Sequence, residues 1–171
     1  MVLLIKPSLS SIQQRLKITV LGKGFVGKSS LSYCFANNRV LSKNERTIED
    51  RYIVAVMIDN VPCEIGIFNL WLEILDTAGQ DDYQNLIDGW INFGDGFLIV
   101  FALNDKESLE FALNRRERVL KITKNFNVPI VLVGNKKDLE DERVNEKEEM
   151  EMIANNWKCE YIETSAMVNN I

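Results

Sequence analysis

Between Gly22 and Ser30 the chain reads Gly22-Lys23-Gly24-Phe25-Val26-Gly27-Lys28-Ser29-Ser30. The chemistry such a stretch supports is anion capture. Glycines let successive backbone N–H groups turn inward on a polyphosphate, the start of a following helix adds the positive end of its dipole, and Lys28 supplies a full charge. The Ser29 hydroxyl suits a Mg²⁺ ion. Before this stretch comes an apolar, β-branched run, Leu16-Lys17-Ile18-Thr19-Val20-Leu21, and after it Leu31-Ser32-Tyr33-Cys34-Phe35-Ala36 with helical spacing of apolar residues. A strand, then G-x-x-x-x-G-K-S, then a helix is the setting a phosphate-binding loop requires. The plain alternative is a glycine turn joining a strand to a helix, and the rest of the chain argues against it.

Three other stretches narrow the chemistry. Asp76-Thr77-Ala78-Gly79-Gln80 ends an apolar run, so Asp76 arrives beside the phosphate loop where Mg²⁺ must sit. Gly79 lets a backbone N–H approach a terminal phosphate, and Gln80 can orient a water. Asn135-Lys136-Lys137-Asp138 follows the apolar run Ile130–Gly134. A carboxylate at Asp138 can accept from the N1–H and exocyclic amine of guanine, groups adenine does not offer. An unpaired buried acceptor costs about 1–3 kcal/mol, so Asp138 would reject adenine as well as bind guanine. Thr164-Ser165-Ala166, after the last strand, can aim a backbone N–H at the guanine O6. All four stretches fall at C-terminal strand ends, where open α/β sheets bind ligands.

The elements that must position them read as one α/β domain. The 171 residues suffice for a single core, and 46% apolar with 26% charged residues is a globular composition. Strands are expected at Leu16–Leu21, at Arg51–Ile58 and Ile65–Leu75 as a hairpin turning near Asp59-Asn60, at Gly96–Leu103, at Pro129–Gly134 and at Tyr161–Glu163. Helices are expected from the phosphate loop to about Asn37, over Ser108–Lys124 with Arg115, Arg116 and Arg118 on a solvated basic face, and over Glu146–Asn155. Asp81-Asp82-Tyr83 opens a loop or irregular helix. Strands alternating with helices give a mostly parallel sheet of about six strands, helices on both faces. Residues 1–14 read as a flexible extension, leaving 15–171 as the nucleotide-binding domain.

Composition also excludes. A net charge of −5 offers no basic face for nucleic acid, and the absence of histidine removes imidazole acid–base chemistry. Cys34, Cys63 and Cys159 are scattered, which favours a reducing, cytoplasmic setting over a disulfide framework. Met1–Ile5 is too short for a signal peptide or membrane span, and neither myristoylation at Val2 nor prenylation at Asn170-Ile171 is possible. No membrane anchor is therefore expected in this chain. Attachment would need a lipidated tail beyond it.

From about Arg15 to Ile171 the sequence resembles a Ras-superfamily small GTPase of the P-loop NTPase fold. Thr47-Ile48-Glu49-Asp50-Arg51-Tyr52 is similar to the effector segment of the Ras branch. The resemblance implies GTP/GDP and Mg²⁺ as ligands and slow GTP hydrolysis as the activity. Ser29 and Thr47 would bind Mg²⁺ directly and Asp76 through water. The Gly24–Ser30 amides with Lys28 would hold the phosphates, and Gln80 would orient the attacking water. Gly22, Gly24, Phe25, Val26, Gly27, Ser30, Gly79, Asn135, Lys136, Asp138, Ser165, Ala166 and Met167 complete the nucleotide contacts. It further implies a monomer with effectors at Thr47–Tyr52 and with activating and exchange proteins. A nucleotide-binding scaffold of weak affinity and little turnover is the alternative. A P-loop kinase lacks an evident acceptor site or lid and conflicts with Asn135–Asp138.

The chain also departs from the pattern. Val40 stands where the family packs phenylalanine on guanine, Asn44 where it has a tyrosine, Arg46 where it has a proline, Met167 where it has a lysine, and Phe25 where it has a small residue. Glu64–Trp71 forms an apolar insertion. The long helix that follows Ser165-Ala166 in the family is missing before the chain ends at Ile171, so one sheet face beside the first helix is expected to be uncovered. An Arg46 acting as a catalytic arginine in cis is disfavoured because its neighbour Thr47 must face Mg²⁺.

Overall fold

The apolar run 16–21 has β-branched residues at alternating positions, and alternation in a strand sends neighbours to opposite faces. In the computed structural model, which describes residues 15–37, 39, 49–56, 70–77 and 84–168, this run is the central strand β1 (Arg15–Leu21). It lies parallel between β3 (Leu70–Thr77) and β4 (Gly96–Ala102). Strands β2 (Glu49–Val56), β5 (Ile130–Asn135) and β6 (Glu160–Glu163) complete a sheet of order β2-β3-β1-β4-β5-β6. Among the described residues only the β2–β3 pairing is antiparallel. This antiparallel pairing is the one expected, but β2 starts earlier, at Glu49, and β3 continues past Leu75 to Thr77. The expected turn at Asp59-Asn60 and the insertion up to residue 69 lie outside the described residues.

Two apolar layers flank the sheet. On one face Leu21, Leu75, Ile99 and Phe101 pack with Ile87, Trp90 and Ile91 of α2 (Gln84–Phe93), Leu109, Ala112 and Val119 of α3 (Lys106–Thr123), and Met150 of α4 (Lys147–Trp157). On the other, Val20, Ile74, Val100 and Val133 meet Leu31 and Cys34 of α1 (Lys28–Asn37). The loop or irregular helix expected after Asp81-Asp82-Tyr83 is a regular helix over Gln84–Phe93, in which Ile87, Trp90 and Ile91 have the i, i+3, i+4 spacing of a buried face. Gly89 at its centre and its ten-residue length mask that signal. Asp105 starts α3 by accepting from the Ser108 amide at 3.1 Å, and Lys124 ends it in the left-handed conformation at φ 52°.

The α1 face is incompletely covered. A groove of about 230 Å³ runs beside α1, lined by Ile18, Val20, Leu31, Phe35, Leu98 and Ile162. Ser32 also lines it, and its buried hydroxyl has no hydrogen-bond partner among the described residues. A buried polar atom without a partner costs about 1–3 kcal/mol. Ser32→Ala is therefore expected to raise the thermal midpoint by about 2–4 °C. Calorimetry of the two proteins checks this, and a lowered midpoint would show that the hydroxyl finds a partner. No described helix is long and apolar enough to cross a membrane.

Candidate functional site

Parallel register brings the chemically distinctive residues to one edge of the sheet. Val20 pairs with Asp76, so β1 and β3 end level, whereas Leu21 pairs with Ile99 and Ile99 with Leu132, so β5 runs three residues further to Asn135. The phosphate loop leaves β1 at Gly22, whose φ of 153° belongs to glycine. A Cβ there would collide with the Val100 carbonyl. Gly27, at φ 93°, closes the loop against the Asn135 side chain, where a Cβ would also collide. Its carbonyl then accepts from Leu31 N at 3.0 Å, starting the hydrogen-bond ladder of α1.

Lys28 and Asp76 form the electrostatic centre. Lys28 is 5% exposed and its Nζ donates to the Lys23 carbonyl at 2.8 Å. Burial pulls its pKa down to about 8, opposed by the nearby Asp76 charge and assisted by Arg115. Asp76 is fully buried, and burial lifts its carboxyl to about 6 despite the Ser29 hydroxyl and Lys28. The Ser29 hydroxyl is near enough to act on Asp76, yet neither carboxylate oxygen meets a donor at full hydrogen-bond geometry. Two buried, under-coordinated carboxylate oxygens beside a serine hydroxyl are a donor set suited to Mg²⁺. Among the described residues no group of three Asp, Glu, Cys or His could hold a metal alone. That agrees with the habit of Mg²⁺, which takes one or two protein ligands and completes its shell with phosphate and water.

The base-recognition stretches also converge. Asn135, 2% exposed, donates through Nδ2 to the Val26 carbonyl at 2.8 Å and accepts from Thr164 Oγ1 at 3.1 Å. Lys136 takes the left-handed conformation at φ 66°, turning the chain into a 3₁₀ segment, Lys137–Glu142, whose second residue is Asp138. Ser165 Oγ donates to Asp138 Oδ1 at 2.6 Å and accepts from the Met167 and Val168 amides. Ala166 is buried and receives the Cys34 thiol on its carbonyl, whereas Met167 is exposed. Val26 is buried, and Gly24, Ser29 and Ser30 are half-buried. Phe25 departs from the rest. It is 78% exposed and holds φ 64°, a conformation costly for a residue with a Cβ.

Thr47, Gly79 and Gln80 lie outside the described residues, as do Val40, Asn44 and Arg46. One expectation is corrected. Arg115 is not on a solvated face: it is 8% exposed, with its guanidinium 4.1 Å from the Phe111 ring centre. Its spacing from Ala112 and Val119 puts it on the buried stripe of α3, a signal the basic run Arg115–Arg118 obscured. Arg116 is partly covered as well, lying over Trp157, while Arg118 pairs with Asp88 at 2.6 Å. Sequence reading also missed the ties from Lys23 to Asp105 and Glu107, at 3.3 and 2.7 Å, which join the phosphate loop to the start of α3.

An open, mostly parallel sheet with a glycine-rich P-loop after its central strand and the Asn135–Asp138 loop two strands away defines an α/β P-loop nucleotide-binding domain. The sequence model of the Ras family matches residues 17–171. The chain belongs to the Ras family.

Proposed function

We propose that this protein is a GTP/GDP-dependent switch with slow, Mg²⁺-dependent GTP hydrolysis. The observation that carries the reading is the 2.8 Å hydrogen bond from Asn135 to the Val26 carbonyl, which fixes the base-binding loop to the phosphate loop. One ligand with a guanine at one end and phosphates at the other suits both. Asp138 would accept from the guanine edge, and the Ser165-Ala166 turn would face its O6. The amides of residues 24–30 and the Lys28 ammonium would hold the phosphates, with Ser29, Thr47 and Asp76 as the Mg²⁺ set. When bound, Mg²⁺ supplies charge neutralisation on the terminal phosphates. At neutral pH the pKa values of about 8 for Lys28 and about 6 for Asp76 leave both groups mostly charged at a desolvation cost, which a polyphosphate with its cation would offset.

Phosphoryl transfer needs positioning and charge more than covalent chemistry. Gln80 is the residue proposed to orient the attacking water, with Gly79 approaching the terminal phosphate. Gln80→Leu should lower single-turnover GTP hydrolysis at least tenfold while GDP release stays within about twofold, a barrier increase of about 1.4 kcal/mol or more. Equal hydrolysis by both proteins would remove Gln80 from this role. Effectors would engage residues 47–52, of which 49–52 lie on the edge strand β2 with Asp50 and Arg51 exposed. Activating and exchange proteins would act on the same loops, and a cytoplasmic monomer fits this role.

The exposed, strained Phe25 favours a second reading, a weakly binding scaffold with little turnover. A phosphate loop bearing a bulky residue at φ 64° is less free to adjust around a polyphosphate. Single-turnover hydrolysis separates the two, since a scaffold would release almost no phosphate.

A further inference from the structure

Strand β6 is four residues long and lies at the sheet edge, yet it must deliver Ser165 accurately to Asp138. Its last residue, Glu163, pairs in register with Gly134, and its carboxylate is the hub of a polar cluster. Arg143 donates to it twice, NH1 to Oε1 at 3.0 Å and NH2 to Oε2 at 2.9 Å. Tyr161 OH donates at 2.8 Å, and Lys137 Nζ lies 3.7 Å away. The same guanidinium grips Glu140 through Nε at 2.7 Å and NH2 at 3.0 Å, and donates to the Asn145 carbonyl at 3.2 Å. The Arg143 and Glu163 side chains are 12% and 8% exposed. Arg143 closes the 3₁₀ segment that begins one residue before Asp138. One planar fork thus joins the far end of the Asp138 turn to the residue just before Thr164-Ser165.

We propose that Arg143 is a positioning residue for nucleobase selection: by clamping Glu163 against the turn that follows Asp138, it fixes the distance between the two base-binding loops. The proposal rests on the guanine-nucleotide reading above. The direct Ser165–Asp138 hydrogen bond sets local contact between the loops, but it holds one carboxylate oxygen only. The bidentate Arg143–Glu163 pair adds the orientation a single bond lacks, because a guanidinium fork fixes the plane of its carboxylate. Lysine at this position would keep the charge and lose the plane.

The test is selectivity rather than affinity alone. Inosine diphosphate lacks the exocyclic amine that Asp138 would accept, so the GDP-to-IDP affinity ratio reads the placement of that carboxylate. Competition against fluorescent GDP should give a clear preference for GDP in the unaltered chain. Arg143→Gln should speed GDP release about tenfold and shrink the GDP-to-IDP ratio at least threefold. Arg143→Lys should not restore the ratio. Glu163→Gln, which keeps shape and packing, should reproduce the loss, and the double variant should be no worse than either single one. A loosened fold without a positioning role would weaken both nucleotides equally. An unchanged ratio in both Arg143→Gln and Glu163→Gln overturns the proposal. Failure of the unaltered chain to prefer GDP over ADP overturns the guanine reading itself, and the clamp with it.

Discussion

Asp138→Asn is expected to weaken GDP binding about 100-fold and to shift preference toward xanthosine diphosphate. The carboxylate can accept from both N1–H and the 2-amino group of guanine, and hydrogen bonds to a charged group contribute about 1.5–3 kcal/mol each. Asparagine keeps one acceptor and turns the other position into a donor that faces the amine. Losing one bond and opposing two donors costs about 2.7 kcal/mol, which is the 100-fold stated. Xanthine has a carbonyl in place of the amine and would accept from the new amide. The asparagine oxygen can still accept from Ser165 Oγ, now 2.6 Å from Asp138 Oδ1, so the loops should stay joined. Competition titrations with GDP and xanthosine diphosphate measure both effects. Unchanged guanine preference would show that Asp138 does not read the base.

Asp76→Asn should strengthen the nucleotide-free fold at neutral pH. Burial raises the Asp76 pKa from 3.8 to about 6, so the folded state holds its proton more tightly than the unfolded chain. Stability from this group is complete below pH of about 4 and is lost as pH rises through about 6. At neutral pH the ionised, under-coordinated carboxylate therefore destabilises the nucleotide-free domain by about 1–3 kcal/mol. Removing it should raise the thermal midpoint by about 3–10 °C at pH 7.5 and by little at pH 4. Lys28 works at the opposite end of the scale. Its pKa falls from 10.5 to about 8, so stability should climb as pH rises between these values. Thermal denaturation of nucleotide-free protein from pH 4 to 10 checks both slopes. If Asp76→Asn lowers the midpoint at pH 7.5, the carboxylate is paired and is not a waiting cation ligand.

Residue pattern made much of this legible, for a physical reason. Phosphate capture, Mg²⁺ binding and guanine recognition would each need particular groups next to strand ends, which is why Lys28, Asp76 and Asp138 are the residues proposed for them. Buried strands declare themselves as well: the run 96–102 is continuously apolar because both faces of β4 are covered. Helix α2 read only as a loop or irregular helix because Gly89 and a length of ten residues weaken its helical pattern. Arg115 was misread because charge patterning describes a solvated helix face only when the helix phase is known. The Arg143–Glu163 clamp could not be seen at all, since twenty positions separate the partners and only the β5–β6 register brings them together. Local pattern gives the groups that do chemistry, and tertiary packing gives the groups that hold them in place.

Direct competition for the nucleotide site tests the central claim. Nucleotide-free protein, loaded with fluorescent GDP in Mg²⁺ buffer, would be titrated with GTP, GDP, ATP and ADP. The account predicts displacement by GTP and GDP at concentrations at least 100-fold below those needed for ATP or ADP, a difference of about 2.7 kcal/mol or more. Displacement by adenine and guanine nucleotides at equal concentrations, or no binding of fluorescent GDP to folded protein, would contradict it.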